Sequence, residues 1–403
     1  FERFAYYGSK AILAVFVAEQ VGLGPEKAGW LVGSLFNTLL YFLPVLAGTV
    51  VDRYGFKKSL LACFSIFCLG YLLIGLGGLP AGKPMVDALG PEVYMVLALV
   101  VTAIGGSLIK PSIVGTVART TTPDTKALGY SFYYTLVNLG GAIGPILALQ
   151  VRQSLGISYV LVMSSLVSLL LAVATLVFFT EPPRPADAPP PRSMAKVLAD
   201  MVLVFGNLRF MTFLVIFSGF WAMFWNIFYA LPFYVRDVLK FEQFELIETV
   251  DAWTIILITI PAGALAKKLS PMAAMTLGFA LATASWFVMG SAPSLAVCIG
   301  AIMLFALGEA IQAPRYYEYV ADLAPKDQVG TYMGFAFLPI AIGTFVAGAL
   351  SGHLVASYVE PYKAGVAGAA PPERMWYVVG AVGVVSTIAM LLYDRLVARR
   401  RPA

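Results

Sequence analysis

Long apolar runs, broken by short polar or glycine- and proline-rich segments, set the pattern of this chain. Twelve of them are long enough to cross about 30 Å of hydrocarbon as helices: 1–21, 28–51, 58–79, 91–117, 126–150, 156–179, 206–236, 245–267, 271–291, 294–321, 330–357 and 375–397. Between the sixth and seventh lies Thr180–Asp200, with the stretch EPPRPADAPPPRS. Proline there breaks any helix and polarity keeps it out of lipid, so it reads as a linker. The pattern predicts an all-α membrane protein: a six-helix bundle over 1–179, a cytoplasmic Pro-rich linker over 180–205, and a second six-helix bundle over 206–403.

Composition removes the alternatives. Hydrophobic residues make up 60% of the 403 and charged residues 12%, with a mean hydropathy of +0.83. A soluble domain carries about 25% charged residues. A soluble enzyme, a nucleic-acid reader and a disordered scaffold are therefore excluded. Cys63, Cys68 and Cys298 sit in apolar runs without metal-ligand spacing, and the one histidine, His353, lies near a helix end as a packing or interface residue. No metal and no cofactor is expected. The chain opens inside a helix at Phe1-Glu2-Arg3, with no signal peptide, so some preceding sequence is expected.

Lysines and arginines give an orientation. The loops after helices 2, 4, 6, 8 and 10, with the C-terminus, hold 16 basic residues against 7 on the opposite side. The positive-inside rule makes the richer side, and both termini, cytoplasmic in a cell membrane. Four of the 27 basic residues remain within the spans: Arg3, Lys10, Lys110 and Arg315. A cation facing lipid costs about 2.5–3.5 kcal/mol, so these must face partners or a wet cavity. Glu2, Tyr6 and Lys10 form one stripe of the first helix with Arg3 and Tyr7 alongside, provided that end of the helix is in the membrane at all. A weak repeat, Pro44-Val-Leu-Ala-Gly48 against Pro261-Ala-Gly263, fits duplicated halves.

Gly48-Thr-Val-Val-Asp52-Arg53-Tyr-Gly55-Phe-Lys57 resembles the G-x-x-x-D-R-x-G-x-K loop of the major facilitator superfamily. Gly48 would allow close helix contact and Gly55 a tight turn. Asp52, beside Arg53, would face a helix N-terminus of the other half as a gate.

The resemblance narrows to the proton-coupled oligopeptide transporters. FERFAYYG is similar to their ExxERFxYYG signature and Gly105-Gly106-Ser-Leu-Ile-Lys110-Pro111 to G-x-G-x-x-K-P. Phe132-Tyr133-Tyr134-Thr-Leu-Val-Asn138-Leu-Gly140 is similar to FYxxIN-x-G, while Gly308-Glu309 to Pro314 and Leu323-Ala324-Pro325 resemble the helix 10 motifs. The resemblance implies a major facilitator fold. It implies a proton-linked charge network of Glu2, Arg3, Lys110 and Glu309, and a substrate cavity lined by Tyr6, Tyr7, Tyr41, Asn138 and Trp221. Lys10 would meet a substrate carboxylate and Glu309 a substrate amine or a proton. A buried structural salt bridge is the competing role for Lys110.

Departures matter. Phe224 and Trp225 stand where the family has a helix 7 glutamate, and Arg315-Tyr316-Tyr317-Glu318 replaces small neutral residues. Arg315 and Glu318 are either a second substrate-binding pair or a structural one; on an ideal helix Glu318 lies about 180° from Glu309. The expected function is proton-coupled symport of small peptides or peptide-like zwitterions by alternating access, carried out by a monomer in a lipid bilayer with protons as the only coupling ion. The alternatives are a proton-coupled carrier or exporter of another small organic ion, and a non-transporting ligand sensor on the same scaffold. An enzyme is excluded for want of a nucleophile–base constellation, and so is a nucleic-acid partner.

Overall fold

The computed structural model describes residues 1–122, 124–183, 193–325 and 329–398. All regular structure among the described residues is helical. The first helix, α1, spans Glu2–Val15 and continues as a wider π turn over Phe16–Gln20. Eleven further helices are long and apolar enough to cross a membrane: α2 (Gly24–Tyr54), α3 (Phe56–Leu76), α4 (Pro91–Thr120), α5 (Leu128–Leu155), α6 (Ile157–Phe178), α8 (Leu208–Val238), α9 (Phe244–Ala266), α10 (Pro271–Met289), α11 (Leu295–Leu323), α12 (Tyr332–Lys363) and α13 (Pro372–Ala398). Each coincides with one predicted run. The charges that make α1 interesting, Glu2, Arg3, Lys10 and Glu19, also keep it off that count. A twelve-residue helix, α7 (Met194–Phe205), occupies the end of the expected linker; the Arg184–Arg192 part of that linker lies outside the described residues, as do the Lys326 and Arg399–Arg401 contributions to the charge bias.

Helix ends fall where sequence chemistry allows. Gly55 takes φ 85° and joins α2 to α3 without a loop, as its motif position predicts. Asn207 caps α8 by accepting from the Phe210 N–H at 3.1 Å, and Ser270 caps α10 from Ala273 at 3.2 Å.

By packing, the chain forms two units: one of residues 1–24 and 35–201, the other of 25–34 and 202–403. In the first, α1 lies on α5 and α6 while α3 packs on α4 and α6. Lipid tails are as apolar as leucine, so close backbone approach has to supply the association. A Cβ on Gly140 would stand 2.3 Å from that of Arg3, and one on Gly106 2.3 Å from Leu40 Cδ1. Gly48 is different. A Cβ there would meet nothing within 4 Å, so the expected helix contact at this glycine is absent.

In the second unit, α8 packs on α12 and α13, and α10 on α11 and α13. Aromatic rings fill it: Phe217 stacks on Tyr316 at 4.0 Å and Trp286 on Trp376 at 5.1 Å. Trp376 is wholly buried there, whereas Trp30 is half exposed. Residues 25–34 join this unit through a glycine crossing; a Cβ on Gly33 would lie 2.4 Å from Gly348 Cα. Ser34 Oγ donates to Phe345 O at 2.6 Å. His353 is exposed and lies 3.6 Å from Glu26.

Candidate functional site

The first unit gathers most of the predicted polar residues. On α1, three- and four-residue steps bring Arg3, Tyr6, Tyr7 and Lys10 to one side. The Arg3 guanidinium forks onto both oxygens of Glu2 and lies 4.7 Å from the Tyr6 ring centroid. Lys10 is buried, its Nζ 5.3 Å from the Tyr7 ring and 5.8 Å from that of Tyr6. From α2, Tyr41 brings its hydroxyl to 3.3 Å from that of Tyr6. From α4, Lys110 Nζ sits 4.4 Å from the Tyr41 ring centroid, within electrostatic reach of both Arg3 and Glu2.

Local backbone explains how Lys110 gets there. Pro111 has no N–H to offer the Ser107 carbonyl, and α4 is interrupted by a turn at Leu108 before resuming at Ile109. Glycines at 106 and 140 then let α2 and α5 approach closely enough for side chains from three helices to meet. Arg3, Tyr6, Tyr41 and Lys110, with Leu40, Phe67, Gly106 and Ile109, line a small cavity of about 10 Å³, room for about one water molecule.

Energetically the cluster trades desolvation against cation–π contact and one ion pair. A desolvated cation over an aromatic face gains about 2 kcal/mol, of the same order as the insertion cost of an arginine or lysine. The named groups comprise three cations, Arg3, Lys10 and Lys110, and one anion, Glu2. Loss of Glu2 would leave the Arg3 guanidinium without its forked partner. Along α1, Lys10 is buried, Glu2 and Arg3 are partly buried, and Glu19 is exposed.

Other predicted residues lie elsewhere. Asn138 is half-buried on α5, and its amide donates to Tyr134 O of its own helix at 3.0 Å. Asp52 and Arg53 are exposed at the end of α2; Asp52 borders a cavity shared with Phe56, Pro111 and Arg119, and Arg53 lies over Tyr54 at 5.7 Å. In the second unit, Trp221 is half-buried with its ring edge-on to Phe224 at 5.3 Å, and Glu309 is half-buried on α11. Of the two roles open to Arg315, the geometry supports the structural one. Its Nε and Nη2 donate to Ala266 O at 3.0 and 2.8 Å, Nη2 also reaches Leu269 O at 3.0 Å, and Nη1 pairs with Glu318. The guanidinium thereby caps the C-terminal end of α9, and Glu318 is half exposed beside it.

Sequence reasoning overlooked three acids. Glu245 and Glu248, one turn apart on α9, are 0% and 3% exposed; a search for misplaced basic residues passed over them, though acids inside an apolar run carry the same signal. Glu181, assigned to the linker, accepts from the N–H groups of Phe56 and Lys57 at 2.8 and 2.6 Å. It caps α3 just after the D-R-x-G turn, adding a carboxylate at a helix N-terminus.

Known proteins share this fold over nearly the whole chain. Solved structures of a POT family transporter in complex with a thioalcohol-conjugated peptide and of an auto-inhibited POT family peptide transporter superpose with TM-scores of 0.77 each. Identities are 18% and 17%, over 98% and 100% of this chain and 94% and 96% of those chains. Among curated relatives, the multidrug resistance protein MdtH of Klebsiella pneumoniae subsp. pneumoniae is 23% identical over 94% of this chain and 88% of its own. Dipeptide and tripeptide permease B of Edwardsiella piscicida is 30% identical over 44% of this chain and 34% of its own. The family profile matches residues 1–250 and 241–403, so that the two packing units and the D-R-x-G turn find one explanation: the chain belongs to the Major Facilitator Superfamily of membrane transporters.

Proposed function

We propose that the protein is a proton-coupled symporter of small peptides or peptide-like zwitterions that works by alternating access. The observation that carries this reading is the cluster of Glu2, Arg3 and Lys110 with Tyr6 and Tyr41, built from α1, α2 and α4. A peptide carboxylate needs positive charge, and the first unit carries Arg3, Lys10 and Lys110 within its spans. A substrate carboxylate drawn to Lys10 or Lys110 competes with Glu2 for the positive charge of the cluster. One charge moving down about 100 mV supplies about 2.3 kcal/mol, enough for roughly fifty-fold accumulation. The charge bias of the loops supports a cell-membrane protein with both termini cytoplasmic. The peptide-permease relatives and POT neighbours support this cargo.

A second reading has its own observation. Phe224 and Trp225 replace the expected acid of α8, and the MdtH relatives match nearly the full chain. These favour export of another small organic ion. Proteoliposomes under an imposed pH gradient separate the two: labelled dipeptide uptake that collapses without the gradient and in Lys110→Met supports the first. An absence of peptide flux in protein that expels organic cations overturns it.

A further inference from the structure

One end of the second unit holds a cavity of about 410 Å³, within the range of small-molecule sites, about 300–1,000 Å³. Four helices bring polar side chains to it: Arg209 from α8, Ser270 from the start of α10, Tyr319 and Asp322 from α11, and Asp394 from α13. Three of these helices are tied together at its wall. Tyr319 Oη donates to Tyr393 Oη at 3.5 Å, Tyr393 Oη donates to Arg209 O at 3.2 Å, and Phe213 packs against both rings. Arg209 Nε is buried and has no hydrogen-bond partner among the described residues. Ser270 Oγ accepts from the Ala273 N–H at 3.2 Å, which leaves its own proton to donate.

We propose that this cavity holds the phosphoethanolamine headgroup of a bilayer lipid, with its phosphate on Arg209 and Ser270 and its ammonium on Asp322 and Asp394. Charge of both signs in one cavity calls for a ligand with both. A lone anion would meet two carboxylates, and a lone cation would meet the guanidinium. A guanidinium forks onto phosphate oxygens, and a primary ammonium brings N–H donors to the carboxylates. Choline carries the cation without those donors, and a glycerol headgroup has donors without the charge. Position favours a lipid over a dissolved zwitterion. Arg209 is the second residue of its membrane-crossing helix and Asp322 the last but one of its own, which sets the cavity at headgroup depth. On α13, Val384, Ile388 and Leu391 are exposed and, at about 100° per residue, share a side that adjoins the one bearing Asp394. They form an apolar track for an acyl chain that leads to the cavity. The site is independent of the cargo.

The test titrates the delipidated full chain in detergent with phosphatidylethanolamine, phosphatidylcholine or phosphatidylglycerol and reads bound lipid by native mass spectrometry. Phosphatidylethanolamine should bind about tenfold tighter than either of the others, the worth of one charge-assisted hydrogen bond. Arg209→Gln should weaken all three lipids, since each carries the phosphate, whereas Asp322→Asn with Asp394→Asn should weaken phosphatidylethanolamine alone. Equal binding of the three lipids by the unaltered chain overturns the proposal, and so does a preference that survives the loss of both aspartates. Displacement by glycerophosphoethanolamine at the concentration of the lipid itself also overturns it, because the occupant is then a dissolved zwitterion. If the variants fail to fold, phosphatidylethanolamine with a photoreactive headgroup is cross-linked to the unaltered protein in nanodiscs. Labelling within 270–272, 319–323 or 391–398 supports the site, and labelling confined to other segments refutes it.

Discussion

Replacing Arg315 by methionine keeps most of the side-chain volume and removes the guanidinium that caps α9. Three hydrogen bonds to two carbonyl oxygens disappear, leaving Ala266 O and Leu269 O at a helix C-terminus without their cationic donor. A hydrogen bond from a charged donor is worth about 1.5–3 kcal/mol net. Because all three share one guanidinium, the expected loss is about 2–4 kcal/mol rather than their sum. The Glu318 pair adds less than about 1 kcal/mol, being half exposed on the carboxylate side. For a cooperative unit of this size the shift in Tm is about 4–16 °C, measured on purified protein in detergent at one scan rate. The apparent KM for transported substrate should stay within a factor of two or so, since no substrate group is removed. Arg315→Lys should recover less than half, because an ammonium cannot fork onto a carbonyl as a guanidinium does. An unchanged Tm with a lost affinity would refute this reasoning and return Arg315 to the substrate.

Gly140→Ala should destabilise by about 1–3 kcal/mol, because its Cβ would overlap that of Arg3. Gly48→Ala, with open space around it, should stabilise by up to about 1 kcal/mol; thermal unfolding of the two variants side by side checks the contrast. Glu181→Ala removes the cap of α3 and should cost about 1–2 kcal/mol, read as faster amide exchange at residues 56–60 with little change in α6. Asn207→Ala loses both its cap and its 2.8 Å donation to the Tyr332 hydroxyl, so about 1–3 kcal/mol should go; a Tm equal to that of the parent protein would contradict it.

The sequence by itself determined the twelve crossings, because a bilayer leaves the backbone no choice but to bond internally over long apolar runs. It also exposed Arg3, Lys10 and Lys110, since a cation in such a run is costly wherever it points. Gly55 was legible for a similar reason: few residues other than glycine accept φ 85°. What the tertiary structure decided is where polar groups end up once helices meet. Arg315 and Lys110 look alike in sequence, each beside a proline inside an apolar helix, yet one caps a neighbouring helix and the other joins an aromatic and ionic cluster. Gly48 and Gly140 are equally small, and only the neighbouring helix makes one indispensable and the other idle. Glu181 falls in polar surroundings and gained its role through a turn 125 residues earlier in the chain. Periodicity records which residues shun or require water; it does not record which helix stands opposite, and that is fixed by packing between segments far apart in sequence.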